Sequence, residues 1–224
     1  MSPGLRRLLL VAVVLSALVA LWASAAEPPR AALIYLFKPL TTVLILAWAL
    51  AIASERDRYL WAIAAGLACS LVGDVFLMLP GDYFLAGLGA FLVAHLCYLV
   101  AFTTGVRFAA SRLAFAVWLL VAAGGLAFVW NHAQPQLAIL VYGLVLGSMA
   151  AQATVRALTL RTRPALWAAL GAAVFVLSDT LLAIDRFRAP LPVAPLLILA
   201  TYYLAQGLIA GSVAGASSPA GRPR

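Results

Sequence analysis

Charge is scarce in this sequence. Only 10% of its 224 residues are Asp, Glu, Lys or Arg, against about a quarter in soluble domains, too few to clothe a water-facing surface. Cysteine and histidine are nearly missing too, with two of each. Cys69 and Cys97 both fall inside apolar segments without a Cys-x-x-Cys pair, which excludes a disulfide framework or a zinc ribbon and leaves no reason to expect a metal site. Basic residues outnumber acidic ones, 15 to 7, and the sequence pI is about 10.2. They are scattered through short breaks and form no basic patch, so a nucleic-acid partner is not expected. What is present in excess is apolar: 66% hydrophobic residues and a mean hydropathy of +1.07 define an integral membrane protein.

Apolar runs of about 20 residues, enough to cross roughly 30 Å of hydrocarbon as a helix, occur eight times. They cover Leu8 to Ala26, Ala31 to Ala53, Tyr59 to Leu79, Phe84 to Thr104, Leu113 to Trp130, Leu137 to Leu158, Ala165 to Ile184 and Val193 to Val213. Short breaks such as "EPPR", "PGD" and "RTRP" carry the turn residues that separate helices. The expected fold is therefore all-α, with eight transmembrane helices in one integral membrane domain, residues 1–214, and a disordered tail, 215–224. The basic start at Arg6 and Arg7 with "ASA" at 23–25 leaves a cleaved signal peptide as the alternative for the first run.

Orientation follows from the arginines. With the N-terminus in the cytoplasm, the inner side holds Arg6, Arg7, Arg56, Arg58, Arg107, Arg112, Arg156, Arg161, Arg163, Arg222 and Arg224, and the outer side only Arg30, Arg186 and Arg188. Both termini are expected in the cytoplasm, in what reads as a bacterial inner membrane. Trp22 and Trp130 at outer ends, with Trp61 and Trp167 at inner ends, fit an interfacial aromatic belt.

Against this background two carboxylates stand out. "GLACSLVGDVFLML" carries Asp74 and "GAAVFVLSDTLLAI" carries Asp179. At 1.5 Å per residue each lies about 20 Å from the inner surface. Lys38 and Tyr142 lie about 10 and 8 Å below the outer one, with His95, Tyr202 and Gln206 a little deeper. A charge at that depth costs roughly 2.5–3.5 kcal/mol, and aspartate is too short to reach the interface, so function is the default reading. Lys38 is long enough to snorkel. His95 could equally be a hydrogen-bonded core histidine, and Tyr142, Tyr202 and Gln206 are polar partners between helices. Both segments read Gly-x7-Asp-x-x-Leu, offset by 105 residues, which marks an internal repeat with halves 1–107 and 108–214 about an axis along the membrane normal.

"KPLTT" (38–42), "SLVGDVFLM" (70–78), "FLAGLGAFLVAHLCY" (84–98), the helix through 142–149, "GAAVFVLSD" (171–179) and "YYLAQGLI" (202–209) together resemble the YhhN-like lysoplasmalogenase family over nearly the whole chain. The resemblance implies a membrane hydrolase that cleaves the vinyl ether bond of a lysophospholipid, lysoplasmalogen, to a fatty aldehyde and a glycerophospho head group, with no cofactor. That chemistry asks for one protonated carboxyl and one ionised carboxylate, so Asp74 and Asp179 are the expected catalytic pair, in either order. Lys38 would hold the lipid phosphate or tune one aspartate. His95, Tyr142, Ser178, Tyr202 and Gln206 complete the expected substrate-binding set. The rival reading is a small transporter or lipid carrier that uses Lys38, Asp74 and Asp179 as a relay. A transporter is expected to break its helices at mid-membrane, and Pro39 is the only proline well inside a run.

Overall fold

In a computed structural model, residues 2–215 are described. The tail expected from 215 onward, with Arg222 and Arg224, lies beyond Gly215 outside the described residues. Eight helices follow one another: α1 (Pro3–Ala25), α2 (Ala31–Ile52), α3 (Arg58–Phe76), α4 (Phe84–Phe102), α5 (Arg112–Val129), α6 (Gln136–Leu160), α7 (Arg163–Phe187) and α8 (Ala194–Gly211). All eight are long and apolar enough to span a membrane, and no strand occurs among the described residues. The fold is all-α and polytopic.

Local chemistry explains where several helices start. Ser2, Asp57, Ser111 and Thr162 each accept a hydrogen bond from a backbone N–H three residues on, capping α1, α3, α5 and α7. Because short loops make successive helices antiparallel, these four capped ends share one face of the bundle. At the N-termini of α2, α4, α6 and α8, on the other face, the N-cap residue makes no side-chain capping bond; at α4 the Asp82 carboxylate, one residue earlier, accepts from Phe84 N–H at 3.3 Å.

Six helices close a ring: α2 packs on α3, α3 on α4, α4 on α6, α6 on α7, α7 on α8 and α8 back on α2. Outside it, α1 leans on α2 and α8, and α5 on α6 and α7. Glycine permits two of the tightest approaches. A Cβ at Gly66 of α3 would lie 2.2 Å from the Tyr98 ring of α4, and one at Gly171 of α7 would lie 3.0 Å from the Ala205 carbonyl of α8. The two repeated glycines therefore each admit the helix that follows them. Where α4, α7 and α8 meet, Phe91, His95, Phe175 and Tyr202 stack edge to face, with ring centroids 4.7 to 6.4 Å apart along successive pairs.

One helix end departs from the sequence reading. The apolar run through Leu79 suggests a helix to that point, yet α3 stops at Phe76. Pro80 disfavours helical geometry in the residue before it, and Gly81 turns with φ +112°. Residues 77–83 consequently leave the helix axis and open a mouth on the uncapped face.

Candidate active site

Asp74 is 16 residues beyond Arg58, and Asp179 is 16 beyond Arg163, the first residues of α3 and α7. Equal offsets from ends on the same face bring the two carboxylates to one level. The difference lies above them. Asp74 stands in the last turn of its shortened helix, whereas α7 continues for eight residues past Asp179, to Phe187.

Each carboxylate is held from two helices. Asp74 Oδ2 accepts from the Thr42 hydroxyl of α2 at 2.8 Å and from the Tyr202 hydroxyl of α8 at 2.7 Å, and Oδ1 faces Lys38 Nζ of α2 at 3.7 Å. Lys38 and Thr42 reach it together because residues four apart share a helix face. Pro39 removes one backbone N–H from the ladder of α2, and the neighbouring carbonyls are used by side chains: Thr41 Oγ1 donates to Phe37 O at 2.7 Å and Tyr203 OH to Lys38 O at 3.3 Å.

Asp179 Oδ2 accepts from the Tyr142 hydroxyl of α6 at 2.6 Å and lies 3.2 Å from His95 Nε2 of α4, which is also 2.9 Å from the Tyr142 oxygen. His95 Nδ1 is buried with no partner among the described residues. A proton on Nε2 lets the imidazole donate toward Asp179 Oδ2 or the Tyr142 oxygen, and leaves Nδ1 as the unpaired acceptor. The two sites mirror each other. Asp74 of α3 is bonded from α2 and α8, and Asp179 of α7 from α6 and α4.

A single chamber of about 520 Å³ is bordered by both carboxylates, together with Lys38 and Tyr202, and its mouth carries Asp82, Tyr83, Asp185 and Arg186. Asp179 is the more open of the pair, its side chain 12% exposed against 2% for Asp74. At the mouth, Arg186 Nη2 donates to Asp82 Oδ2 at 2.8 Å.

Six expected residues thus converge: Lys38, Asp74, His95, Tyr142, Asp179 and Tyr202. Two of the expected set point elsewhere. Ser178 borders the chamber, but its hydroxyl donates to the Ile198 carbonyl at 3.0 Å, and Gln206 accepts from the Tyr98 hydroxyl at 2.7 Å in the fully buried core. Thr42 is a partner that the sequence reading missed, although its spacing from Lys38 was a usable signal. Arg156, counted on the inner side, lies four residues before the end of α6 and is buried; its guanidinium covers the Tyr59 ring and donates to the Thr104 carbonyl.

Fold and site together define an integral, multi-pass membrane protein with two hydrogen-bonded carboxylates around one intramembrane chamber. The chain belongs to the YhhN family, whose model matches residues 33–213. It is 33% identical over 194 residues to the lysoplasmalogenase TMEM86B of Rattus norvegicus, covering 84% of this chain and 76% of the relative. With lysoplasmalogenase TMEM86B of Homo sapiens it shares 36% identity over 178 residues, 75% of this chain and 70% of the relative. A lysoplasmalogenase of Mycobacterium tuberculosis is 36% identical over 160 residues, 67% of this chain and 59% of the relative. No solved structure matches.

Proposed function

We propose that this protein is a lysoplasmalogenase, a hydrolase that cleaves the vinyl ether of a membrane lysophospholipid through Asp74 and Asp179. The observation that carries the mechanism is the pair itself: two carboxylates at one level, each held by donors from two helices, bordering one chamber. Family membership and relatives named as lysoplasmalogenases support the reaction, and nothing in them supports the transporter reading.

The reaction needs one proton in the right place. A carboxylic acid gives its proton to the outer alkene carbon, where the C=C electron pair forms the new C–H bond, and an oxocarbenium ion remains. The second carboxylate faces that positive charge. Water adds to the oxocarbenium carbon and passes a proton to a carboxylate, giving a hemiacetal. The hemiacetal hydroxyl then gives its proton to a carboxylate as the bond between that carbon and the glycerol oxygen breaks, and the glycerol oxygen takes a proton from a carboxyl group, releasing the fatty aldehyde and the glycerophospho head group. Each carboxyl contributes about 10²–10⁴-fold as an acid or base.

The other groups have positioning work. Lys38 neutralises Asp74 and borders the chamber, where a lipid phosphate is its natural second partner. Tyr142 and His95 fix Asp179, and Tyr202 and Thr42 fix Asp74. Ser178 and Gln206 support these helices through the bonds already described. The repeat reading, with halves 1–107 and 108–214, accounts for the mirrored partners. The arginine distribution favours cytoplasmic termini, with the chamber mouth at Asp82 and Arg186 on the opposite side of a bacterial inner membrane.

The test uses purified protein in detergent with a vinyl ether lysolipid and the matching ester lysolipid. Aldehyde from the first and no fatty acid from the second, without gradient or nucleotide, is expected. Binding of the vinyl ether lipid without product, by folded protein, would overturn the enzyme reading.

A further inference from the structure

Beside the chamber runs a second, narrower cavity of about 90 Å³, walled by α4, α5, α6 and α7. Its lining is apolar apart from Tyr142, Asp179 and Thr180. The two cavities share Leu77, Phe84, Phe91, Asp179 and Leu182, so they adjoin where Asp179 stands. Asp74 and Lys38 border only the chamber, and Tyr142 only the groove.

Their characters differ as the two parts of a lysolipid differ. The chamber is wide, charged and open at the bundle's end, and the groove is thin and mostly apolar. Along α5 the groove extends from Val121 to Val129, about 12 Å at 1.5 Å per residue, which is most of the ~15 Å hydrocarbon depth of one leaflet. Its outer wall is the least buried helix of the eight: within α5 only Ala114 and Val129 are buried. A chain leaving the bilayer meets this wall first. One glycine keeps part of the groove clear. Gly125 of α5 has nothing within 4 Å of where a Cβ would stand, so a larger side chain there has room to grow into the groove without a clash.

Resting on the lysoplasmalogenase reading, we infer that the single hydrocarbon chain of the substrate lies in this groove between α5 and α6 while its polar head occupies the chamber, with Asp179 at the junction beside the bond to be cut. The chain binds there by burying methylene groups, and Gly125 limits how much chain is accepted.

The experiment follows the chain directly and does not depend on turnover. A saturated alkyl ether lysolipid, which has no bond to hydrolyse, carries a photoreactive diazirine near its chain end and is irradiated with the intact protein in nanodiscs. Cross-links are expected on α5 and α6 near Val121 and Leu146, suppressed by excess unlabelled lysolipid and reduced about tenfold by Gly125→Leu. In parallel, the parent protein is compared on vinyl ether lysolipids of long and short chain. Gly125→Leu should lower kcat/KM about tenfold more for the long chain than for the short one, the size expected from losing contact with about two methylenes. Cross-links spread over lipid-facing helices, insensitive to competitor and to Gly125→Leu, would overturn the chain site even if aldehyde is released. Competed α5/α6 cross-links with no aldehyde from any vinyl ether would uphold the chain site and sink the hydrolase reading instead.

Discussion

Lys38→Met should destabilise the protein more than Asp74→Asn does, although the two changes break the same contact. Met keeps the length of the side chain and removes the ammonium 3.7 Å from Asp74 Oδ1. The carboxylate left behind is 2% exposed and too short to reach the interface, so it meets much of the penalty of an uncompensated charge at that depth, about 2.5–3.5 kcal/mol. Hydroxyl bonds from Thr42 and Tyr202 survive and place the loss at the low end, ~2.5 kcal/mol. For a chain of this size that is a fall of about 5–10 °C in Tm. In Asp74→Asn the orphan is instead Lys38, 15% exposed and bordering the chamber, with a side chain long enough to turn its ammonium toward the chamber mouth; the expected loss is under about 1 kcal/mol. Lys38→Met combined with Asp74→Asn leaves no charge and should recover at least half of what Lys38→Met loses. The measurement is the fraction of monodisperse protein in detergent after heating across a temperature series. A double variant that falls by the sum of the two single losses would show that the pair is not coupled and that Lys38 is held by something other than Asp74.

Three further outcomes follow. Tyr142→Phe removes the 2.6 Å bond to Asp179 and the 2.9 Å contact to His95; losing a bond to a charged group, about 1.5–3 kcal/mol, should slow aldehyde release about 10–100-fold with KM nearly unchanged, and a pure KM effect would make Tyr142 a substrate contact. Gly66→Ala puts a Cβ 2.2 Å from the buried Tyr98 ring and should cost about 1–3 kcal/mol by heat inactivation, whereas Gly89→Ala, with nothing within 4 Å, should be neutral or mildly stabilising; equal effects would discount the close packing of α3 on α4. In a background with Cys69 and Cys97 replaced by alanine, Glu55→Cys should react with an impermeant thiol reagent only from the cytoplasmic side and Asp82→Cys only from the other, and labelling of both from one side would reverse or abolish the proposed orientation.

The fold was legible because lipid leaves the chain few options: uninterrupted apolar runs must close their own hydrogen bonds, and helices do so. The end of α3 was harder. Leu77, Met78 and Leu79 are as apolar as the helix before them, and only Pro80 and Gly81 carry the instruction to stop. Asp74, Asp179 and Lys38 announced themselves as charges in apolar surroundings, and depth counting grouped them with His95, Tyr142 and Tyr202. Depth says nothing about rotation around a helix, however. Ser178 is one residue from Asp179 and so about 100° around α7, which turns its hydroxyl to α8, and Gln206 sits a turn beyond Tyr202, against Tyr98. Thr42 went unnoticed because threonine is ordinary in such helices. Its role depends on α2 and α3 packing side by side, which no single run of residues contains.

The central claim is that both aspartates act on one reacting bond. Rates of aldehyde release from a vinyl ether lysolipid by Asp74→Asn, Asp179→Asn and the double variant, each shown to be folded and monodisperse, test it most directly. Each single change removes a proton-exchanging group while keeping its shape, so each should fall by about 10²-fold or more, and the double variant should fall little below the worse single one, because the two groups serve the same transition state. Turnover within a few-fold of the parent in either single variant would contradict the account, leaving that aspartate a packing group rather than a partner in the chemistry.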